Sequence, residues 1–371
     1  SVTCGQHQLE AGQVFRIRGL TKLCTWSFQA KTGGNVHMSC RKFLVPTSRR
    51  CRKASLQIAS PGSATVSLCG RRTRLVVKRE ASSMTVTNKP KGRRRNLYDC
   101  EVYLRMPTNT TANCSCGTEN SSAGTRIVGG TTSGLGQYPW MGGITFQGMK
   151  RFFCGVTLLT DSHGLTAAHC LHGKKMHKLI VVLAEHDISD NNDTPRTIRN
   201  IARIDFHPDY RPDRTNVGDL AVIKFDHPVP LHHKMVKPIC LPPADAPDYA
   251  GRTAITAGWG YLQSGSENYA KELQAVEVPI WTNSDCKNTG FGNLIHKDLV
   301  CAGFPEGGAD ACTGDSGGPL SVVENGKHIL VGTVSFGHYC AMPNWPGVYS
   351  RISGSLEWIQ QTIESGVTCQ N

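Results

Sequence analysis

Sixteen cysteines in 371 residues constrain this chain more than any other feature. The number is even, and thiols at that density point to an oxidising compartment, where they persist as disulfides. Four Asn-x-Ser/Thr sequons, at Asn109, Asn113, Asn120 and Asn192, fit a glycoprotein of the same route. The chain opens Ser-Val-Thr-Cys without the apolar core of a signal peptide, which reads as a mature form. The longest aliphatic run, Leu179 to Ala184, is far too short for a membrane span. A secreted, extracellular, disulfide-bonded protein is expected. Its length exceeds one ordinary domain and suits two. With 39 Gly and 19 Pro spread along the chain and 19% charged residues, it is neither collagen, coiled coil nor wholly disordered.

The net charge of +13 is unevenly divided: residues 1–126 hold 22 Lys and Arg against 5 Asp and Glu, whereas residues 127–371 hold 19 against 23. All the basic excess therefore lies in the first third. Between the two parts, Pro107 to Thr125 is rich in Thr, Asn, Ser and Gly without apolar periodicity, as a linker would be. The expected organisation is a basic domain over 1–106, a linker and activation segment over 107–126, and a second domain over 127–371.

The second domain carries three motifs in a fixed order: Thr166-Ala167-Ala168-His169-Cys170, Asp219-Leu220-Ala221-Val222-Ile223 and Gly314-Asp315-Ser316-Gly317-Gly318-Pro319. A serine hydroxyl is a weak nucleophile at neutral pH and needs a base within hydrogen-bond reach. Imidazole titrates in the right range to serve, and a buried carboxylate can hold its tautomer. His, Asp and Ser in this order, each in its own flanking signature, resemble the chymotrypsin-like serine proteases over residues 127–369. The resemblance implies a double β-barrel closed by a short C-terminal helix. It also implies His169 as base, Asp219 as its orienting acid, Ser316 as nucleophile, and the backbone N–H groups of Gly314 and Ser316 as oxyanion hole. Apolar residues at Leu356, Ile359 and Ile363, followed by Gly366, mark that helix.

The same resemblance places Asp310, six residues before Ser316, at the base of the primary pocket. Ser335, Phe336, Gly337, Tyr339 and Gly347 would line it. A carboxylate there selects substrates cleaved after Arg or Lys. Phe336 replaces the usual Trp, and Tyr339 stands where a small residue is usual. Arg126-Ile127-Val128-Gly129-Gly130 resembles the activation junction of the family, in which a freed Ile127 ammonium pairs with Asp315. By resemblance Cys154 pairs with Cys170, Cys286 with Cys301, Cys312 with Cys340, and Cys240 with Cys116. The calcium loop of trypsins is only partly matched. Glu185 is retained, but Pro195 replaces a second acid, leaving Asp187, Asp190 and Asp193 as compensating oxygens. No cofactor or resident metal is expected.

In the first domain, short alternating pairs (Leu56/Ile58, Val66/Leu68, Leu75/Val77, Met84/Val86, Val102/Leu104) separated by turn residues have the pattern of an antiparallel sandwich. Cys4, Cys24, Cys51 and Cys69 with Trp26 resemble a CUB domain, giving an all-β chain throughout. Ala54 stands where calcium-binding CUB domains carry aspartate. The partners of Cys40, Cys100, Cys114 and Cys369 stay open at this point, Cys40 with Cys100 and Cys114 with Cys369 being one arrangement. Basic runs at Arg49 to Lys53, Arg71 to Arg74 and Lys89 to Arg95 suit a sulfated glycan or another polyanionic surface. No signature of specific nucleic-acid recognition is present. Two functional classes are open: a zymogen endopeptidase localised by its first domain, or a catalytically weak protease homologue that binds and regulates.

Overall fold

The computed structural model describes residues 2–31, 33–47, 51–52, 54–72, 75–78, 81–91, 96–106, 111–120, 131–190, 192–213, 217–231, 233–262, 268–308, 311–338 and 340–370. The chain divides into two compact units, Ser1–Asn113 with His227–Pro230, and Cys114–Asp226 with Leu231–Asn371.

The first unit contains two sheets. One orders its strands Gly5–Leu9, Cys24–Ala30, Ser83–Lys89, Ser55–Ser60 and Ser63–Leu68, the other Val14–Arg18, Leu97–Arg105, Asn35–Val45 and Gly70–Arg72, with Leu75–Val77 also on Asn35–Val45. Side chains alternate across a pleated strand, so Cys24, Trp26 and Phe28 point one way and are buried while Thr25 is exposed. They join Leu56, Ile58, Met84 and Val86 of the same sheet and Ile17, Met38, Phe43 and Val102 of the other in one apolar cluster. The Val66/Leu68 alternation behaves differently. It lies on an edge strand paired only with Ser55–Ser60, and Val66 remains exposed.

The second unit is built on two barrels. Strands Met141–Phe146, Cys154–Leu158, His163–Thr166, Ala221–Phe225, Thr197–Phe206 and Leu179–Leu183 close into the first. The second sheet runs Thr131–Thr132, Gln274–Pro279, Thr253–Gly258, Pro319–Glu324, Lys327–Phe336, Gly347–Arg351 and Leu299–Ala302. An antiparallel bridge between Ile280 and Ala302 brings its ends together. The helix Leu356–Ile363 buries Leu356, Ile359 and Ile363 and stops where Gly366 N–H returns to the Ile363 carbonyl, as its sequence pattern requires. The all-β, double-barrel architecture with a short C-terminal helix is therefore present.

Within the polar stretch 107–126, residues 111–120 are described. Thr111–Ser115 pairs with Thr368–Gln370 in a two-stranded sheet. Backbone pairing and disulfides hold it, which leaves no apolar alternation in the sequence to reveal it. Eight disulfides use all sixteen cysteines: Cys4–Cys24, Cys40–Cys100, Cys51–Cys69, Cys114–Cys369, Cys116–Cys240, Cys154–Cys170, Cys286–Cys301 and Cys312–Cys340. Among the described residues no helix is long and apolar enough to cross a membrane.

Candidate active site

Strand register brings the first two motifs together. Thr166 and Ala221 are antiparallel partners, so the turn that follows one strand lies beside the residues that precede the other. His169 sits in that turn, a single 3-10 turn over Ala168–Cys170. Its Nδ1 lies 2.7 Å from Asp219 Oδ2, and its backbone N–H donates to Asp219 Oδ1 at 2.9 Å. Asp219 is 1% exposed. A carboxylate taken that far from water needs several donors. The second barrel supplies one more, Ser335 Oγ donating to Asp219 Oδ2 at 2.6 Å, and it holds the Asp219 backbone through Ser350 Oγ, which donates to the main-chain carbonyl at 3.1 Å.

Ser316 lies in the turn ahead of strand Pro319–Glu324. Its carbonyl accepts from Gly155 N–H of the first barrel at 2.8 Å and lies 3.6 Å from Cys170 Sγ, next to His169. Gly317 adopts φ +83°, and a Cβ there would lie 2.1 Å from Thr166 Oγ1. Only glycine allows the nucleophile turn to approach the histidine strand so closely. Within the turn, the N–H groups of Asp315, Gly317 and Gly318 bond to Cys312, Val334 and Asp315 carbonyls. Those of Gly314 and Ser316 take no protein acceptor among the described residues. Two unsatisfied N–H groups flanking one turn are what an oxyanion requires.

Asp315 points away from this turn. Its Oδ1 accepts from Gly260 N–H at 2.7 Å and its Oδ2 from Cys312 N–H at 2.8 Å. Burial pushes its carboxyl up to about 6, against the pull of those two donors. Side chains at Gly258 or Gly260 would strike the carboxylate, at 2.0 and 2.6 Å respectively. Arg126 and Ile127, its expected activators, lie outside the described residues, as do Asp310 and Tyr339 of the expected pocket. Around that pocket, Ser335 is buried with its hydroxyl turned to Asp219, Gly337 is exposed, and Gly347 is buried at the start of Gly347–Arg351. Cys312–Cys340 joins the two loops. Phe336 packs edge-on against Phe291 at 5.8 Å, and Phe291 against Trp345 at 4.8 Å.

The calcium loop is filled by a side chain. Arg196 Nε lies 2.5 Å from Glu185 Oε2, and its Nη2 donates to the carbonyls of Asp187 at 3.1 Å and Asp190 at 2.7 Å. Three oxygens that could face a cation thus face a guanidinium. The other acids cap loop backbone: Asp187 Oδ1 takes Ser189 N–H, Asp190 Oδ1 takes Asn192 N–H, and Asp193 Oδ2 takes Asp187 N–H. The loop does not fit calcium. Burial drives the Glu185 carboxyl up to about 7 while Arg196 holds it down. A second group, Cys154, His169 and Cys170, converges within 4.8 Å, but its two sulfurs are bonded to each other and offer no thiolate.

The sequons differ in accessibility. Asn192 is exposed. Both side-chain N–H groups of Asn120 are engaged, at 2.6 Å to the Gly136 carbonyl and 2.6 Å to that of Lys234, and its Oδ1 accepts from Lys237 Nζ at 3.1 Å. Asn109 and the side chain of Asn113 lie outside the described residues. Three roles escaped sequence reasoning: Ser335 and Ser350 as partners of Asp219, and Arg196 as the cation of its loop. For Ser335 a signal existed, since it sits with Thr333 in the mostly apolar Leu330–Phe336 stretch and a hydroxyl buried there needs a partner.

Against known proteins, residues 127–359 match the family model described as Trypsin, more than half of the chain. Serine protease filzig of Drosophila melanogaster is 38% identical over 255 residues, 66% of this chain and 15% of the relative. Trypsin-1 of Astacus astacus is 35% identical over 239 residues, covering 63% of this chain and 98% of the relative. The Clotting factor G beta subunit of Tachypleus tridentatus is 34% identical over 252 residues, 64% of this chain and 79% of that protein. The match thus spans a small part of filzig and nearly all of the crayfish protein.

Two outcomes follow from the geometry. Ser335→Ala removes a hydrogen bond to a buried carboxylate and should lower kcat/KM on Arg peptides about tenfold, with KM little changed. Stripping calcium with a chelator should leave the thermal midpoint unmoved, whereas Arg196→Gln strands buried Glu185 and should cost about 3 kcal/mol by denaturant unfolding.

Proposed function

The chain belongs to the trypsin family of serine proteases, and on that premise we propose that it is a secreted endopeptidase, made as a zymogen cleaved after Arg126, that hydrolyses peptide bonds following Arg or Lys. The observation that carries this is the buried Asp219 bonded to His169, beside a Ser316 turn whose Gly314 and Ser316 N–H groups take no acceptor among the described residues. A scaffold kept only for binding has no use for a buried carboxylate positioned on a histidine.

In this mechanism His169 Nε2 takes the Ser316 hydroxyl proton as Oγ attacks the scissile carbonyl. Asp219 keeps the Nδ1 proton in place and stabilises the imidazolium. Gly314 and Ser316 N–H groups receive the negative oxygen, each donor worth about 3–4 kcal/mol of barrier. His169 then delivers the proton to the leaving amine, and water repeats the sequence on the acyl-enzyme. Asp310 supports the choice of Arg and Lys, because a carboxylate at the base of a narrow slot pairs with a cation far better than with an apolar chain.

Asp315 supplies the drive for activation. Its carboxyl is raised in the folded chain from 3.8 to about 6, so its ionisation works against folding as pH climbs through that window. At neutral pH the carboxylate meets only backbone N–H groups among the described residues. A freed Ile127 ammonium would pair with it, lower its pKa and relieve the cost. The first unit, resembling a CUB domain, serves localisation. Its described basic residues Arg52, Arg71, Arg72, Lys89 and Lys91 are exposed and suit sulfated glycan, with the remainder of the basic runs outside the described residues.

Fluorophosphonate labelling tests the enzyme directly. The chain cut after Arg126 should label at Ser316, the uncut chain at least about 100-fold more slowly, and Ser316→Ala not at all. Equal labelling before and after the cut contradicts the zymogen, and none after it contradicts the enzyme. For the basic unit, the full chain should remain on heparin at physiological salt. Elution below that ionic strength reduces the basic runs to a solvated face.

A further inference from the structure

The second unit has a net acidic sequence from residue 127 onward, yet one flank of the nucleophile turn presents cations held on aromatic rings. The guanidinium carbon of Arg151 lies 4.8 Å from the ring centroid of Tyr261 and 4.8 Å from that of Tyr269. The two tyrosines are themselves antiparallel bridge partners. Beside them, Lys174 Nζ stands 5.2 Å from the Phe153 ring centroid. These are the cation–ring contacts among the described residues, and no acid pairs with either cation there.

The backbone ties this patch to the nucleophile. Tyr261 N–H bonds to the Thr313 carbonyl at 2.9 Å, and Gly260 lies directly against Gly314, whose Cβ would come within 3.0 Å of the Gly260 Cα. Phe153 precedes Cys154, the disulfide partner of Cys170, and Cys170 Sγ is 3.8 Å from His169 Nε2. Gly155, two residues beyond Phe153, donates to the Ser316 carbonyl.

If the chain is the endopeptidase proposed above, chemistry fixes which side of the substrate this is. His169 must hand its proton to the leaving amine, so the residues after the scissile bond leave past His169 and the Cys154–Cys170 disulfide. The residue before the bond goes the other way, toward Asp310 and Ser335–Gly337. The geometry points to a cationic subsite made by Arg151 on Tyr261 and Tyr269, with Lys174 over Phe153, that receives an Asp or Glu side chain two or three residues after the cleaved bond.

An exposed arginine normally samples many rotamers. Arg151 is exposed, and two rings within cation–π distance restrain its guanidinium without neutralising it, so its charge stays open to a carboxylate. The ordering that binding would otherwise demand is already complete.

The test uses the full chain cut after Arg126 and peptides identical but for Glu, Gln or Lys at the second and third positions after a single Arg. The ratio of kcat/KM for Glu over Gln should be about fivefold at low salt and shrink in high salt. It should fall to about one in Arg151→Gln and below one in Arg151→Glu, for which Lys becomes the better residue. Cleavage after Arg with no acidic preference, or a preference untouched by Arg151→Gln, overturns the subsite and leaves the endopeptidase standing. Failure to cleave any peptide after Arg overturns both.

Discussion

Asp219 is the interaction on which the rest of the second unit depends. A carboxylate at 1% exposure must collect donors or be ejected, and the donors come from two barrels. The first gives the His169 ring and backbone N–H, and the second gives Ser335, with Ser350 holding the Asp219 main-chain carbonyl. Neither barrel alone satisfies the acid, so docking the barrels and assembling the site are one event. The Gly155–Ser316 hydrogen bond and the close approach of Gly317 to Thr166 make the same seam from the other motif. Catalytic geometry is therefore as rigid as the inter-barrel packing that produces it.

What could be read from the sequence was whatever is local or periodic. His169, Asp219 and Ser316 each sit in a short signature whose neighbours have physical reasons: Thr166 because its hydroxyl fills the space beside Gly317, Gly317 because no Cβ fits there. The C-terminal helix declared itself through Leu356, Ile359 and Ile363. What could not be read were partnerships formed across sequence. Ser335 reads as a pocket residue, and nothing in that reading foretells that its hydroxyl faces an acid 116 positions away. Arg196 carried no motif at all, since only the folded loop brings it against Glu185 and two carbonyls. The strand Thr111–Ser115 was hidden because its partner is the last strand of the chain.

Arg196 and Arg151 show how one side chain serves opposite ends. Arg196 is enclosed by oxygens and neutralises a buried carboxylate, so its value is structural and its charge is spent inside the loop. Arg151 is exposed and rests on two rings, which restrain a guanidinium without neutralising it. A lysine could not replace either: the first role needs several donors in one plane, the second a flat face that stacks.

The proposed cut after Arg126 would fall beyond a segment, residues 114–120, that is bound to the second unit. Cys114 and Cys116 are disulfide-linked to Cys369 and Cys240. Gly117 exchanges backbone hydrogen bonds with Pro238 and His328. Glu119 Oε1 lies 2.6 Å from His328 Nε2, and the Nδ1 of that ring is 2.9 Å from Ser321 Oγ. This Glu–His–Ser chain has the residue types of a catalytic relay but not its chemistry, because Ser321 is 2% exposed and its hydroxyl reaches the Ile255 carbonyl. Its work is to anchor. With two disulfides and a buried imidazole holding 114–120, the proposed cut would free a terminus at Ile127 and leave the preceding segment attached, confining the change to the Asp315 side of the site.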